Sequence, residues 1–448
     1  MILTRMVRSV AISLFLALAS ATLTAEAPRP TLALVGGQVI DGYEGAPIPD
    51  GVVLMAGERI VAVGPRSEVA VPVGTPVIDT QGMSVLPGLM DMHVHLMILG
   101  HADYEHWDKT YMTRFRSEIM PIAARQLLTS GITTARDLGA PLDDILDVKR
   151  RIDKGEIPGP RLFVSGPFIQ RAPYFEYEKF VRWGVDSPED ARAKVQRLVD
   201  AGVDMIKLID QDQLTDDEVA AVVQTAHKGG KPVVAHAHRE DEIRMGLKHG
   251  VDCFEHTGLA TEPGYPDDIL AALRKRNNTL YWCPTIEGLF LADYTARVFP
   301  ARLDDPAWRA GMPKDIADDI RRSLRNVTAL DYFTLTFRRL PTLPRKFQQL
   351  RESGVTMLVG TDSGIPGNFH TDSTWRELDT WVRLGMTPMQ AIAGATRWPA
   401  RFLKKEKDLG TLAPGRLADV IAVRGDVLTH IDLLQRVDVV VKGGVQVK

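Results

Sequence analysis

The sequence predicts an α/β fold: a (β/α)8 TIM-type barrel with a small β-sandwich domain built from both chain ends. Between residues 83 and 404, short apolar strand-like runs alternate with helical patterns, as in parallel α/β folds. Residues 31–82 and 405–448 contain only short apolar runs separated by Gly, Pro and Asp turns. Each end segment alone would leave open sheet edges, so we expect the two to pair into one composite domain.

Eight apolar runs account for the predicted barrel strands. They cover residues 85–90, 132–136, 162–165, 205–209, 233–237, 253–256, 280–283 and 357–360. Residues 215–218 form a capping-box signature that opens a helix ending at Gly229-Gly230, and further helices are predicted over 239–248 and 265–276. A doubly wound open sheet is the alternative architecture.

One long segment, residues 286–340, interrupts this alternation between the seventh and eighth strands. Its aromatic side chains include Phe290, Tyr294, Phe299, Trp308, Tyr332, Phe333 and Phe337. The pattern is largely helical. It fits either a lid-like wall over the mouth of the barrel or a packing element at a dimer contact.

Residues 1–25 have the layout of a secretory signal peptide. Arg5 and Arg8 precede an apolar run over residues 10–19, and candidate cleavage points follow Ala21 and Ala25. The run is short for a membrane span, and an uncleaved anchor is the alternative. We therefore expect an exported protein, periplasmic or secreted, without membrane attachment after cleavage.

The composition limits the kinds of partner. The 448 residues carry a formal net charge of −3, and 25% of them are charged, which does not favour nucleic acid or a strongly anionic partner. A small-molecule substrate and further copies of the same chain (a homo-oligomer) are the expected partners. Cys253 and Cys283 lie in apolar strand-like runs, so buried free thiols are favoured over a disulfide.

Residues with metal-binding or catalytic chemistry lie in or after most predicted strands. His93-Val94-His95 follows the first strand, and residues i and i+2 of an extended segment point to the same side, so both imidazoles can reach one metal ion. Lys207 lies within the fourth strand, where an unpaired ammonium is costly to bury. The later strands end with His236 and His238, with His256, and with Asp362.

Each of these residues also has a purely structural interpretation. A histidine at a strand end is often only hydrogen-bonded, a strand lysine can extend to water, and Asp362-Ser363-Gly364 can be an Asx turn. Active sites of barrels lie at the C-terminal ends of the strands, however, and all of these residues fall at that end. Their common placement favours one converging metal site.

The chain resembles the amidohydrolase superfamily, in its imidazolonepropionase-like and prolidase-like branch. Two motifs carry the resemblance together with the histidines: Leu86-Pro87-Gly88-Leu89, and the Gly-Thr-Leu-Ala-Pro-Gly stretch at 410–415 with Ala418-Asp419. The resemblance covers essentially the whole chain after the predicted signal peptide.

The resemblance implies two divalent metal ions, with zinc as the expected metal. It assigns His93, His95 and Asp362 to the more buried ion, His236 and His256 to the more exposed ion, and a carboxylated Lys207 to both as a bridge. It also implies a bridging hydroxide that attacks the scissile carbonyl, while Asp362 carries its proton to the leaving group.

Two departures from dipeptidase-like relatives lie on the substrate side of the predicted site. Residues 210–213 (Asp-Gln-Asp-Gln) stand where many relatives have a Gly-rich stretch, and His238 stands where several have a tyrosine. His238 is therefore a candidate for contacting the substrate or the tetrahedral oxyanion, with a supporting role as the alternative.

Further candidates for substrate binding lie in loops near the predicted mouth. They are Arg171, Tyr174, Arg239 and His370. The Arg136-Asp137 sequence at the end of the second strand is interpreted as a structural ion pair.

Together the motifs and the resemblance imply a binuclear metal-dependent hydrolase that cleaves an amide or peptide-like C–N bond of a dipeptide or N-acyl amino acid. Hydrolysis of a lactone, carboxylic ester or phosphotriester at the same site is the alternative. Imidazolone ring opening is disfavoured, because relatives with that activity use one metal and lack the bridging lysine. A metal-free binding or assembly protein is disfavoured because all six ligand positions are filled.

Overall fold

The computed structural model describes residues 29–257, 262–325, 327 and 336–448. The predicted signal peptide lies outside these residues, as do Tyr332 and Phe333 of the insertion. Within the part of the chain that the structure describes, no helix has both the length and the apolar character needed to cross a membrane.

Strands and helices alternate through the middle of the chain, and strands alone occupy most of its two ends. The strands are β1 Leu32–Val39, β2 Ile48–Ala56, β3 Arg59–Pro65, β4 Val77–Asp79, β5 Met83–Pro87, β6 Leu89–Val94, β7 Ile132–Asp137, β8 Arg161–Val164, β9 Phe168–Gln170, β10 Arg182–Gly184, β11 Ile206–Leu208, β12 Val233–His236, β13 Cys253–Glu255, β14 Tyr281–Cys283, β15 Thr356–Met357, β16 Val420–Arg424, β17 Val439–Lys442 and β18 Val445–Gln446.

The helices lie mainly between the parallel strands. They are α1 Tyr104–Tyr111, α2 Met120–Thr129, α3 Leu142–Asp153, α4 Pro188–Ala201, α5 Asp216–Lys228, α6 Glu240–His249, α7 Asp267–Arg276, α8 Gly288–Asp293, α9 Lys314–Ser323, α10 Thr336–Arg339, α11 Leu343–Ser353, α12 Ser373–Arg383, α13 Pro388–Gly394 and α14 Arg397–Phe402. Short 3-10 turns cover Met112–Arg114, Glu176–Phe180, Gln211–Gln213, Pro300–Asp304, Ala307–Arg309, Leu340–Thr342 and Ile431–Gln435, and π-helical turns cover Phe115–Ile119 and Tyr294–Val298.

Strands from both ends of the chain form one eight-stranded sheet. Its order is β18-β17-β16-β5-β1-β2-β3, with β4 paired to β1. The pairing of β16 with β5 is antiparallel and places Val420 opposite Pro87, so the C-terminal segment pairs directly with the strand that precedes the first histidines. The two end segments therefore complete one sheet, as their open edges require.

The strands of the middle region are parallel. They form a three-stranded ladder, β6-β7-β8, and a seven-stranded ladder, β10-β9-β11-β12-β13-β14-β15. Backbone hydrogen bonds from Met92 N to Val359 O (2.9 Å) and from Asp362 N to His93 O (2.7 Å) join β6 to the segment after β15. The predicted α/β fold with parallel strands is confirmed, and the strand positions agree with the sequence pattern to within a few residues.

The prediction of one strand over residues 85–90 is wrong in detail, because the structure has two strands there. β5 ends at Pro87 in the mixed eight-stranded sheet, where it pairs parallel to β1 and antiparallel to β16, whereas β6 starts at Leu89 in the parallel ladder. Gly88 stands between them, and a Cβ there would lie 2.2 Å from Oγ1 of Thr133. Only glycine permits this close approach, so the chain changes sheets at Gly88, and His93 lies inside β6 rather than after it.

The predicted helices form with small shifts at their ends. The capping box opens α5, and in it the Thr215 hydroxyl accepts a hydrogen bond from Glu218 N. Gly250 ends α6 in the left-handed conformation. The predicted helix at 265–276 starts only at Asp267, because Pro266 is extended. Cys253 and Cys283 are both buried free thiols, as expected.

The Gly88 contact gives a stability prediction. Gly88→Ala should lower the free energy of unfolding by about 1–3 kcal/mol, since overpacking forces Thr133 and the neighbouring strands apart. Denaturant unfolding would measure it. Gly45→Ala is the matched control, because no atom of the described residues lies within 4 Å of a Cβ at Gly45. Equal unfolding free energies for the two variants would show that the close contact at Gly88 does not control the stability of the fold.

Candidate metal centre

The structure brings the predicted ligand residues together in two adjacent groups. One group contains His93, His95 and Asp362, and the other contains His236, His238 and His256. Within each group, the candidate ligand atoms all lie within 4.8 Å of one another. The rings of His93 and His256 have centroids 5.0 Å apart, so the two groups adjoin.

Each of these side chains comes from the end of a parallel strand or the loop after it. His93 lies in β6, His236 is the last residue of β12, and His256 directly follows β13. His256 and Asp362 have positive φ angles of 73° and 58°, which side-chain-bearing residues rarely adopt. Such backbone strain is concentrated at functional sites, where the surrounding structure compensates for its cost.

The first group has the spacing of ligands around one ion. Asp362 Oδ1 lies 3.1 Å from His95 Nε2 and 3.4 Å from His93 Nε2. Two ligands on a tetrahedral zinc ion, each about 2.1 Å from the metal, are separated by about 3.4 Å. Burial alone would raise the pKa of Asp362, but His93 and His95 beside it hold that pKa below its ordinary value.

Hydrogen bonds to the Asp91 carboxyl hold the backbone of this group in place. Its Oδ1 accepts hydrogen bonds from the backbone N–H of His93 (3.1 Å) and of Thr361 (3.1 Å), and its Oδ2 accepts from the hydroxyls of Thr361 (2.7 Å) and Thr374 (2.9 Å). Burial raises the pKa of Asp91 to about 6. One buried carboxyl thus ties β6 to the loop that carries Asp362.

A buried ion pair orients His93. Its Nδ1 donates to Glu255 Oε2 (2.9 Å), and Arg136 Nη2 donates to Glu255 Oε1 (2.6 Å). Burial alone would raise the pKa of Glu255, but Arg136 and His93 hold it at about 2. A carboxylate on the outer nitrogen of a ligand histidine directs the inner nitrogen at the metal.

The predicted Arg136–Asp137 pair is not formed. Arg136 binds Glu255 and the Met92 carbonyl, whereas Asp137 accepts from the backbone N–H of Leu96 (2.8 Å) and Gly139 (3.1 Å). Successive residues of a strand point to opposite sides, so Arg136 and Asp137 face different neighbours.

Lys207 lies in the middle of β11 and is fully buried. Among the described residues, its Nζ has no hydrogen-bond partner. Burial lowers the pKa of this ammonium to about 8, against the attraction of Glu255 and Asp362. An unpartnered buried amine with an accessible neutral form fits carboxylation to an anion that two cations would hold.

The second group contains one histidine more than the resemblance assigned. His238 stacks on His256 with centroids 4.5 Å apart and an interplanar angle of 11°. Gln211 Nε2 donates to the His236 carbonyl (2.7 Å), and Thr285 Oγ1 lies 2.7 Å from His256 Nδ1. Burial lowers the pKa of His238 to about 3, with Arg339 adding to the effect, so its imidazole is neutral and able to bind a metal or donate one hydrogen bond.

A cavity of about 650 Å³ opens above these residues. Its aromatic wall consists of Tyr104, Phe168, Tyr174, Phe175 and Tyr177. Most of this wall comes from the loop between β9 and β10.

The predicted substrate-binding residues divide into two kinds. Tyr174 and Arg239 line the cavity. Arg171 and His370 do not: Arg171 binds Glu218 and the Val185 carbonyl, and His370 is buried with Nε2 donating to the His95 carbonyl (3.2 Å). Arg171 therefore fixes the loop from outside, and His370 supports the strand end that carries His95.

Sequence reasoning missed several polar residues of the cavity wall, among them Asp108, Glu178 and Arg182. Asp108 is buried, and burial raises the pKa of its carboxyl to about 7, with Glu178 adding to the effect. Its position in α1, four residues after Tyr104, is the signal that would have indicated a shared helical face.

The Arg136–Glu255–His93 contact gives a prediction about metal binding. Arg136→Met should lower metal affinity about 10–100-fold and destabilise the fold by about 3–5 kcal/mol, because Glu255 is left buried without its cation. Zinc titration and denaturant unfolding would measure both. The exposed pair Lys314–Asp318 supplies the control: Lys314→Met should change stability by less than about 1 kcal/mol. Unaltered zinc affinity in Arg136→Met would contradict the orienting role.

Comparison with known proteins identifies a family. The amidohydrolase family profile matches residues 84–447. The ochratoxinase of Aspergillus niger is 24% identical over 447 residues, covering 90% of this chain and 83% of that protein. A deaminase of Symbiobacterium thermophilum, acting on 5-methylthioadenosine and S-adenosylhomocysteine, is 24% identical over 88% of this chain and 85% of its own.

Solved structures share the fold. The crystal structure of a Xaa-Pro dipeptidase with methionine bound in its active site superposes with a TM-score of 0.72 and 24% identity, covering 93% of this chain and 99% of that one. With the family profile spanning most of the sequence, the chain belongs to the amidohydrolase family of hydrolases acting on C–N bonds.

Proposed function

We propose that this protein is a binuclear metal-dependent hydrolase that cleaves the amide or peptide-like C–N bond of a dipeptide or N-acyl amino acid. The observation that carries the proposal is Lys207, an ammonium that is fully buried beside two groups of candidate ligands and has no hydrogen-bond partner among the described residues. A buried unpaired cation is costly. Reaction of the neutral amine with carbon dioxide, with loss of a proton, would give a carbamate anion that two bound cations would hold, and this would remove that cost.

The donor set fits two divalent ions, with zinc as the proposed metal. His93, His95 and Asp362 would hold the more buried ion, His236 and His256 the more exposed one, and carboxylated Lys207 both. When bound, such ions lower the pKa of water and polarise a carbonyl.

The chain's own residues supply the proton transfer and the orientation. Asp362 lies 3.1 Å from His95 in the first group and 3.9 Å from His256 in the second. It stays ionised beside His93 and His95, so it can accept a proton from the attacking water and return it to the leaving amine. His238 faces the same cavity as a neutral imidazole and is placed to donate to the developing oxyanion.

The cavity supports a substrate with an aromatic or bulky apolar group. Its volume of about 650 Å³ suits a drug-sized molecule, and its aromatic wall offers stacking surfaces. Similar proteins include an ochratoxinase and a Xaa-Pro dipeptidase, whose names give ochratoxin and an Xaa-Pro dipeptide as their substrates. An N-acyl aromatic amino acid combines a peptide-like amide bond with an aromatic group.

We also propose the finer architecture and location of the protein. The backbone links between β6 and the segment after β15 support a closed (β/α)8 barrel, and the sheet shared by both chain ends supports a composite β-sandwich domain.

The residue pattern of 1–25 supports export to the periplasm or medium, and the homo-oligomer expected from the sequence is retained as a proposal.

The first experiment measures metal content together with activity. The chain, reconstituted with zinc and bicarbonate, should bind about two ions at this centre and release amino acids from a pooled library of dipeptides and N-acyl aromatic amino acids. Lys207→Met should lose metal at the centre and fall below detectable turnover. Lys346→Met is a matched control, because Lys346 is a second buried lysine with a pKa lowered by burial to about 8, away from the ligand groups.

The outcomes separate the alternatives. Two ions without amino acid release would retain the centre and redirect the search to lactones, esters and phosphotriesters. A full metal content in Lys207→Met would remove the bridging role, and a supplemented chain that binds no metal would end the enzyme proposal.

Asp362→Asn tests the proton-transfer role. We expect turnover to fall by about 100-fold or more, the usual range for loss of general acid–base catalysis. Metal content must be measured on the same samples, because Asp362 is also a candidate ligand. Asp210→Asn, at the rim of the cavity, should mainly change KM. Full activity in Asp362→Asn with both ions retained would refute the role.

A further inference from the structure

A second cluster of metal-binding side chains lies outside the centre described above. It consists of His101, His106 and Asp319, whose candidate ligand atoms all lie within 4.8 Å of one another. His101 precedes α1, His106 lies in α1, and Asp319 lies in α9 of the insertion. We propose that these three residues form a third binding site for a zinc-class divalent ion, which joins α1 to the insertion.

The distances within this cluster suit ligands sharing an ion. Asp319 Oδ2 lies 2.8 Å from His106 Nε2 and 3.6 Å from His101 Nε2. The shorter distance is that of a hydrogen bond, which a bound ion would replace, and the longer one is close to the roughly 3.4 Å between two ligands on a tetrahedral ion. The two imidazoles stack with centroids 5.2 Å apart and an interplanar angle of 21°, so both present Nε2 to the same carboxylate.

Each ligand is held in place by a neighbouring group. His101 is only 3% exposed, and its Nδ1 lies 2.9 Å from the Asp103 carbonyl and 3.0 Å from Asp103 N, so that Nε2 faces Asp319. Asp103 also caps α1 by accepting from His106 N (2.9 Å). Tyr111 Oη donates to Asp319 Oδ2 (3.0 Å). Ligand histidines and carboxylates in metal sites are commonly supported in this way.

The donor set determines the class of ion. Two imidazoles and one carboxylate suit zinc and other first-row transition metals, whereas magnesium and calcium prefer oxygen ligands alone. His106 has a side chain 46% exposed, which leaves one side of the cluster open to solvent and to ion entry. None of the three residues belongs to the centre built around His93 and His236.

The position of the cluster suggests what the ion would do. Tyr104 and Asp108 of α1 line the cavity, and Arg339 from the same insertion as α9 lines it as well. An ion shared by α1 and α9 would therefore hold two parts of the cavity wall together and stabilise the folded chain in proportion to its binding.

Metal counting on variants of the full-length protein tests the site. With zinc supplied in excess and weakly bound ions removed by dialysis, the wild type should retain one ion more than His106→Ala, and also one more than Asp319→Asn. Added zinc should raise the thermal midpoint of the wild type more than that of either variant. The result does not depend on the proposed function, because the measured quantity is the difference of one ion, whatever the count at the main centre.

His227→Ala is the control for this experiment. His227 Nε2 lies 2.8 Å from Asp252 Oδ2, and within the described part of the chain this His–carboxylate pair belongs to no cluster of three metal-binding side chains. This variant should bind as many ions as the wild type. The His106 side chain is close to half exposed, and Asp319→Asn preserves side-chain shape, so circular dichroism should show both test variants folded. Equal ion counts in the wild type and in both folded variants would overturn the proposal.

Discussion

The buried contact from Arg136 through Glu255 to His93 is the interaction on which the site depends. Its three residues come from three different parallel strands, β7, β13 and β6, and all are at most 1% exposed. Charges at such depth are tolerated only when each has its partner, since removal of one leaves the other uncompensated at a cost of about 3–5 kcal/mol. The orientation of His93, and with it the first ligand group, is thereby linked to the correct assembly of the strands.

Close backbone packing provides the second constraint. A Cβ at Gly360 would lie 2.3 Å from Cys283 Sγ and 2.8 Å from the backbone nitrogen of His93. The segment after β15 can therefore approach β6 only because residue 360 is glycine. This approach allows Asp362 N to donate to the His93 carbonyl and brings the Asp362 carboxylate to the histidines. The position of the Asp362 carboxylate is therefore fixed jointly by its short chain distance from Gly360, by the glycine itself and by the hydrogen bonds of Asp91.

The sequence was sufficient to predict the parallel strands and the residues that converge at their ends, because strand periodicity and the common edge of parallel strands are local rules. It was not sufficient for contacts that depend on which strands become neighbours. The pairing of Arg136 with Glu255 instead of Asp137, and the burial of His370 behind His95, both arise from tertiary packing. The division of the first predicted strand at Gly88 depends on the approach of Thr133, which no local pattern records.

Residues 210–213 and the His238-Arg239 segment form one connected structure at the rim of the cavity. Arg239, which follows His238, donates to Asp210 (2.7 Å), Asp212 (2.6 Å) and Glu242 (2.9 Å). Asp210 and Asp212 thus hold the arginine that follows His238, so these two segments are structurally linked.

This network has a consequence for substrate recognition. Because Arg239 is shared among three carboxylates, its guanidinium is already neutralised and is a weak receptor for a substrate carboxylate. Tyr174 is similarly engaged, since its hydroxyl donates to Asp210 (2.5 Å). Selectivity at this rim therefore depends on shape and on the aromatic wall more than on charge pairing, which favours substrates recognised by an aromatic or apolar group.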